Sequence, residues 1–78
     1  MDILEYLKLT SEDQWDYLWL HGHKINSYHS IDSSSELYSM HEFYVEIVLD
    51  PIHDNIIGKN IFKEGAILNK YLKNKETN

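Results

Sequence analysis

Two carboxylates on one strand, five imidazoles and a pair of indoles are the side chains here whose types and spacing could do chemistry. Glu42 and Glu46 alternate in phase with Tyr44, so on an extended chain they share a face about 13 Å apart at about 3.3 Å per residue. Glycoside hydrolysis places its two carboxyl groups about 5 to 9.5 Å apart, so this pair is too widely spread for that chemistry. His21, His23, His29, His41 and His53 raise a metal hypothesis, and His21-Gly22-His23 has the spacing at which two imidazoles share a strand face. A structural zinc site needs four ligands of defined geometry. With no cysteine in the chain, and a glycine where a helix should stop, solvated or partly packed histidines are the expectation, with neither metal nor cofactor. Trp15 and Trp19, at i and i+4, could form a ligand cage or an interface hot spot. On a helix facing the only plausible sheet, core packing is their default role.

The element expected to organise the chain is a single strand over Leu37–Leu49. Alternation puts Leu37, Ser39, His41, Phe43, Val45, Ile47 and Leu49 on a mostly apolar face. Glu36, Tyr38, Met40, Glu42, Tyr44, Glu46 and Val48 fall on the other. Tyr38, Met40, Glu42, Tyr44 and Glu46 are therefore the candidate interaction surface, since tyrosine supplies contact area with a polar handle.

Around that strand, Asp2–Leu9 reads as a turn or two of helix. Ser11 and Gln14 fit a capping box opening a helix that runs to Leu20 or His21, with Gly22 as a left-handed stop. His23–Ile31 reads as a polar edge strand anchored by Ile25, and Asp32–Ser35 as a turn. Asp50-Pro51 ends the central strand. Ile56–Lys63 returns as a third strand, with Gly58 suggesting a bulge, and Glu64–Lys75 closes as a short amphipathic helix ahead of a frayed 73–78 tail. The expected fold is α+β: one domain over 1–78, an N-terminal helix packed on a three-stranded antiparallel meander, and a short C-terminal helix. The Trp15/Leu18/Trp19 stripe should cover Phe43, Val45 and Ile47.

The pattern Leu18-Trp19 with Gly22, Leu37-Tyr38, Glu42-Phe43-Tyr44-Val45-Glu46-Ile47, Phe62 and Tyr71-Leu72 resembles a family of short uncharacterised bacterial proteins often encoded in mobile elements. The likeness spans residues 15 to 72, and its motifs are structural. It implies a fold, no activity and no site residues. The His23–Ser35 stretch departs from the more charged hairpin of such proteins.

Charge bounds the function classes. The net charge of −6 opposes non-specific affinity for nucleic acid or anionic membranes. All seven basic residues are lysine, so the bidentate guanidinium fork suited to guanine and phosphate is missing. Residues 1–55 hold eleven acids against Lys8 and Lys24, whereas 56–78 hold five lysines against Glu64 and Glu76, balances of −9 and +3. No apolar run reaches the roughly 18 to 20 residues that span a bilayer, and the start Met-Asp-Ile-Leu-Glu lacks a basic signal region, so a cytoplasmic protein is expected. A cysteine-free chain of this length has a small core, which favours support from a partner subunit. The functional expectation is a non-enzymatic protein-interaction module, homodimeric and binding a further protein, with no direct contact to nucleic acid or membrane. Two alternatives stand beside it. One is an acidic nucleic-acid mimic presenting Glu36, Glu42, Glu46, Asp50 and Asp54, and the other a small histidine-based metal- or ligand-binding domain.

Overall fold

Two short helices lead into a four-stranded antiparallel sheet in a computed structural model that describes residues 1–65, Leu68, Asn69 and Tyr71. The helices are α1 (Ile3–Leu7) and α2 (Ser11–His21). The strands β1 (His23–His29), β2 (Ser34–Ser39), β3 (Tyr44–Leu49) and β4 (Ile56–Phe62) lie side by side in chain order. The α+β class and the antiparallel sheet stand as expected, but the sheet has four strands rather than three. Leu68, Asn69 and Tyr71 are helical, and the rest of the expected Glu64–Lys75 helix lies outside the described residues.

Both helix starts are set by side chains that satisfy otherwise unpaired backbone N–H groups. Asp2 accepts from the Glu5 N–H at 2.9 Å while Glu5 accepts from the Asp2 N–H at 3.3 Å, a capping box that the sequence reading did not pick out. For α2 the cap is Thr10, whose Oγ1 accepts from the Asp13 N–H at 3.2 Å, one residue ahead of the expected Ser11. Gln14 is not free to complete a box with Ser11, because it is buried and ties the two helices together. Its Nε2 donates to the Tyr6 carbonyl at 3.1 Å, and the Tyr6 hydroxyl donates to the Gln14 carbonyl at 2.7 Å. Burial pushes the Tyr6 phenol up to about 12.

Gly22 does follow α2, though not in the left-handed conformation expected of a stop. Its backbone is extended (φ −77°, ψ 149°), and what requires glycine is space. A Cβ there would stand 2.7 Å from the Leu18 carbonyl oxygen and 2.8 Å from Leu18 Cδ1.

The Leu37–Leu49 stretch is two strands, not one. The chain reverses at Met40–Phe43, where the Met40 N–H donates to the Phe43 carbonyl at 2.8 Å and His41 takes up a left-handed φ of 79°. Across this hairpin Tyr38 pairs with Val45, Glu36 with Ile47 and Leu37 with Glu46, so every even-numbered residue of β2 faces an odd-numbered one of β3. Directly opposed residues in an antiparallel pair share a face. The expected parity therefore holds in β3 and is inverted in β2. Val45, Ile47, Tyr38 and Glu36 look toward the helices, whereas Leu37, Ser35, Glu46 and Tyr44 look away.

The core lies between the helices and the first of these faces. Tyr6, Leu18, Met40, Phe43, Val45 and Ile47 are buried together, with Ile3, Leu9, Trp15, Tyr17, Tyr38, Leu49 and Ile61 packed around them. Phe43, Val45 and Ile47 thus sit under the helices, as the sequence predicts, although Phe43 does so from the turn.

Both outer strands carry a register shift. In β1 it falls at Ile25, which is the extra residue and 52% exposed rather than the anchor expected of it. In β4 Val48 pairs with Gly58 and Leu49 with Ile56, leaving Ile57 as the extra residue beside the glycine that signalled a bulge.

Phe43 and Tyr44 distinguish the two sides of β3. Phe43 is 2% exposed with its ring 5.1 Å from that of Tyr6, so Phe43→Ala should cost about 3 to 5 kcal/mol and leave little folded protein. Tyr44 is half-buried, stacked on Phe62 at 5.7 Å on the opposite face, and Tyr44→Ala should keep a cooperative thermal melt. Circular dichroism checks both. Loss of the fold in Tyr44→Ala alone would place the core on the wrong side of the strand.

Candidate interaction surface

The five residues expected to form one contact surface do not share one. Met40 is 4% exposed and belongs to the core. Tyr38 is half-buried on the helix side, edge-on to Trp19 with ring centroids 6.0 Å apart. Glu42 is exposed in the hairpin turn, and Tyr44 and Glu46 lie on the far face. The reason is the reversal at Met40–Phe43, which hands the even-numbered residues of β2 and β3 to opposite sides.

Glu46 is the residue whose position departs furthest from expectation. It is 3% exposed, yet its carboxylate is well supplied with donors: Asn60 Nδ2 at 3.0 Å to Oε1 and the Tyr71 hydroxyl at 2.8 Å to Oε2. Ser35 Oγ meets the same hydroxyl at 2.7 Å, and the Tyr28 ring stands edge-on to Tyr71. A buried carboxylate is tolerated where hydrogen bonds replace its hydration, and this network also anchors Tyr71 over the far face of the sheet. Burial holds the Tyr71 phenol above its ordinary value. The acids considered as a phosphate-like row are likewise dispersed. Glu36 pairs with Lys24 at 2.9 Å on the helix side, Glu46 is buried opposite, and Asp50 caps its own loop by accepting from the Ile52 N–H at 2.8 Å.

His21, His23 and His41 come to one depression of about 500 Å³, together with Met1, Tyr17, Ser39 and Met40. The His21 ring lies 4.3 Å from that of Tyr17, His29 Nδ1 is hydrogen-bonded to Ser34 Oγ at 2.8 Å, and His53 Nδ1 pairs with Asp50 at 3.2 Å. Although three of these histidines line one depression, among the described residues no three histidines or acids are placed so that they could hold a metal ion.

The tryptophans are where the structure gathers exposed apolar surface. Leu18, on the stripe they share, is fully buried, Trp15 is half-buried and Trp19 is 51% exposed, so only part of the expected cover serves the core. The two indoles stack with centroids 5.7 Å apart and planes 21° from parallel. Across from them runs the start of β4, with Ile56 48% and Ile57 67% exposed. Ser11, Trp15, Trp19 and Ile56 to Lys59 line a groove of about 620 Å³ between α2 and β4. Lys59 Nζ stands 4.5 Å over the Trp15 ring and donates to Ser11 Oγ at 3.4 Å, with burial lowering its pKa from the ordinary lysine value. Ile56, Ile57 and Lys59 were not singled out from the sequence. The available signal was two adjacent isoleucines before a glycine, which an alternating strand cannot both bury.

β4 ends the sheet, and no other described strand pairs with its outer edge. No helix of the described residues is long and apolar enough to cross a membrane. Comparison with protein-family models, with curated proteins and with solved structures finds no match to this chain.

The cation over Trp15 gives a direct check on this geometry. Lys59→Ala should cost no more than about 1 kcal/mol, the range of a partly exposed cation–π contact, while changing the indole emission and its quenching by acrylamide. Unchanged fluorescence would mean that the ammonium does not sit on the ring.

Proposed function

We propose that this protein is a small non-enzymatic interaction module, and that it meets its protein partner through the groove between α2 and β4. The supporting observation is the contiguous exposure of Trp19, Ile56 and Ile57 beside the outer edge of β4. Isolated exposed apolar side chains need no explanation, and Leu4, Leu20, Ile31 and Ile52 are of that kind. A stacked indole pair facing two isoleucines across a groove is different, because tryptophan is enriched among the residues that carry binding energy. The groove replaces the Tyr38/Met40/Glu42/Tyr44/Glu46 face as the contact surface.

Self-association is a second reading, favoured by the opposite charge balances of 1–55 and 56–78. The mobile-element setting implied by the family resemblance is compatible with either.

A photo-crosslinking residue placed at Ile57 tests the surface, with the same residue at Ile31, 98% exposed and away from the groove, as control. Position 57 should give a discrete adduct that Trp19→Ala removes, and position 31 should give none. Mass spectrometry of the adduct separates a second copy from another protein, and sedimentation equilibrium should give about twice 9.3 kDa if the chain pairs with itself. Equal adducts from both positions would remove the groove as the contact surface.

A further inference from the structure

The chemistry of the groove's rim says more about its occupant than its shape does. On α2, Glu12 lies three residues before Trp15 and Asp16 three before Trp19, and all of these positions are neighbours on one side of the helix. Both carboxylates are exposed. At the other end, Asp54, also exposed, stands two residues ahead of Ile56. Over residues 1–65 the chain holds twelve acids against Lys8, Lys24, Lys59 and Lys63, and the one lysine lining the groove, Lys59, is directed onto Trp15. The groove's lining is thus largely aromatic and aliphatic, and the exposed positions next to its indoles on α2 are acidic. It also runs beside a strand edge with no described partner, which favours an extended chain as the added element.

We propose that the groove docks an extended, apolar segment of another protein bearing lysine or arginine, its apolar side chains packed on Trp15, Trp19, Ile56 and Ile57 and its cations facing Glu12 and Asp16. The inference rests on the reading of this groove as the contact surface. Alternation supplies the match: in an extended segment, successive side chains point to opposite sides, so one set enters the groove while the other reaches the acidic margin. Opposite charge at the rim sets partner choice and encounter rate more than affinity, whereas the indoles supply the binding energy. A second copy of this chain is the less complementary occupant, because a whole copy carries a net charge of −6.

The probe is a dye-labelled peptide of about eight residues alternating lysine and valine, compared by fluorescence anisotropy with its glutamate–valine counterpart. The lysine peptide should bind roughly tenfold or more tightly than the glutamate peptide, and binding should weaken as ionic strength approaches about 1 M, where the Debye length is about 3 Å. Trp19→Ala should weaken binding roughly tenfold. Reversing the rim with Glu12→Lys and Asp16→Lys should do the same, whereas Asp32→Lys and Glu42→Lys, equal in charge change but far from the groove along the chain, should leave it within about twofold. Circular dichroism confirms that each variant is folded. Equal losses from the two charge-reversed pairs, or undiminished binding to Trp19→Ala, would reduce the effect to bulk charge and overturn the proposal. If the lysine peptide fails to bind while a crosslinker at Ile57 still gives a Trp19-dependent adduct, the partner class is wrong and the groove stands. Loss of both overturns the surface as well.

Discussion

The tight reversal at Met40–Phe43, closed by the Met40 N–H on the Phe43 carbonyl, decides which side chains of the two middle strands look the same way. Its register opposes Tyr38 to Val45 and Glu36 to Ile47, so the face presented to the helices is built from even positions of β2 and odd positions of β3. A shift of one residue would exchange Val45 and Ile47 for Glu46 and Val48 and put a carboxylate under α2. Burial of Val45 and Ile47 against Leu18 and Tyr6 is the energetic bias against that shift. The Tyr6–Gln14 exchange of hydrogen bonds holds the two helices in one piece over the same face.

The far face is solved by other means. Leu37 is buried there, but its neighbours Ser35 and Glu46 are polar, and their partners come from Asn60 and Tyr71. One tyrosine thereby does two jobs, covering apolar area with its ring and satisfying buried oxygens with its hydroxyl. The sheet margins differ as well. β1 is polar and bulged at Ile25, an edge made unattractive to further strands, whereas β4 combines its bulge with two exposed isoleucines and the adjacent indoles. The proposed docking side rests on this contrast.

Much of the architecture was legible in the sequence because it rests on local chemistry. The α2 helix, the stop before Asp50-Pro51, the irregularity beside Gly58 and the burial of Phe43, Val45 and Ile47 all follow from capping, proline and alternation. The hairpin was not legible. Met40-His41-Glu42-Phe43 holds no glycine, proline, asparagine or aspartate, and the left-handed residue is His41, so the apolar alternation ran on through the turn unbroken. That one reversal accounts for the strand count, for the inverted parity of β2 and for the scattering of Tyr38, Met40, Glu42, Tyr44 and Glu46 over different sides. The exposure of Trp19 was hidden for another reason: a helical stripe shows which residues share a side, while how far the sheet extends beneath them is tertiary.

The proposed groove depends on this register, because Trp19 packs edge-on to Tyr38 while Trp15 reaches toward Lys59 two strands away. Nuclear Overhauser contacts in an isotope-labelled sample measure it most directly. Contacts between Tyr38 and Val45, between Glu36 and Ile47, and between the Trp19 and Tyr38 rings are predicted. An uninterrupted strand from Leu37 to Leu49, lacking the Tyr38–Val45 contact, would contradict the hairpin and with it the placement of the groove.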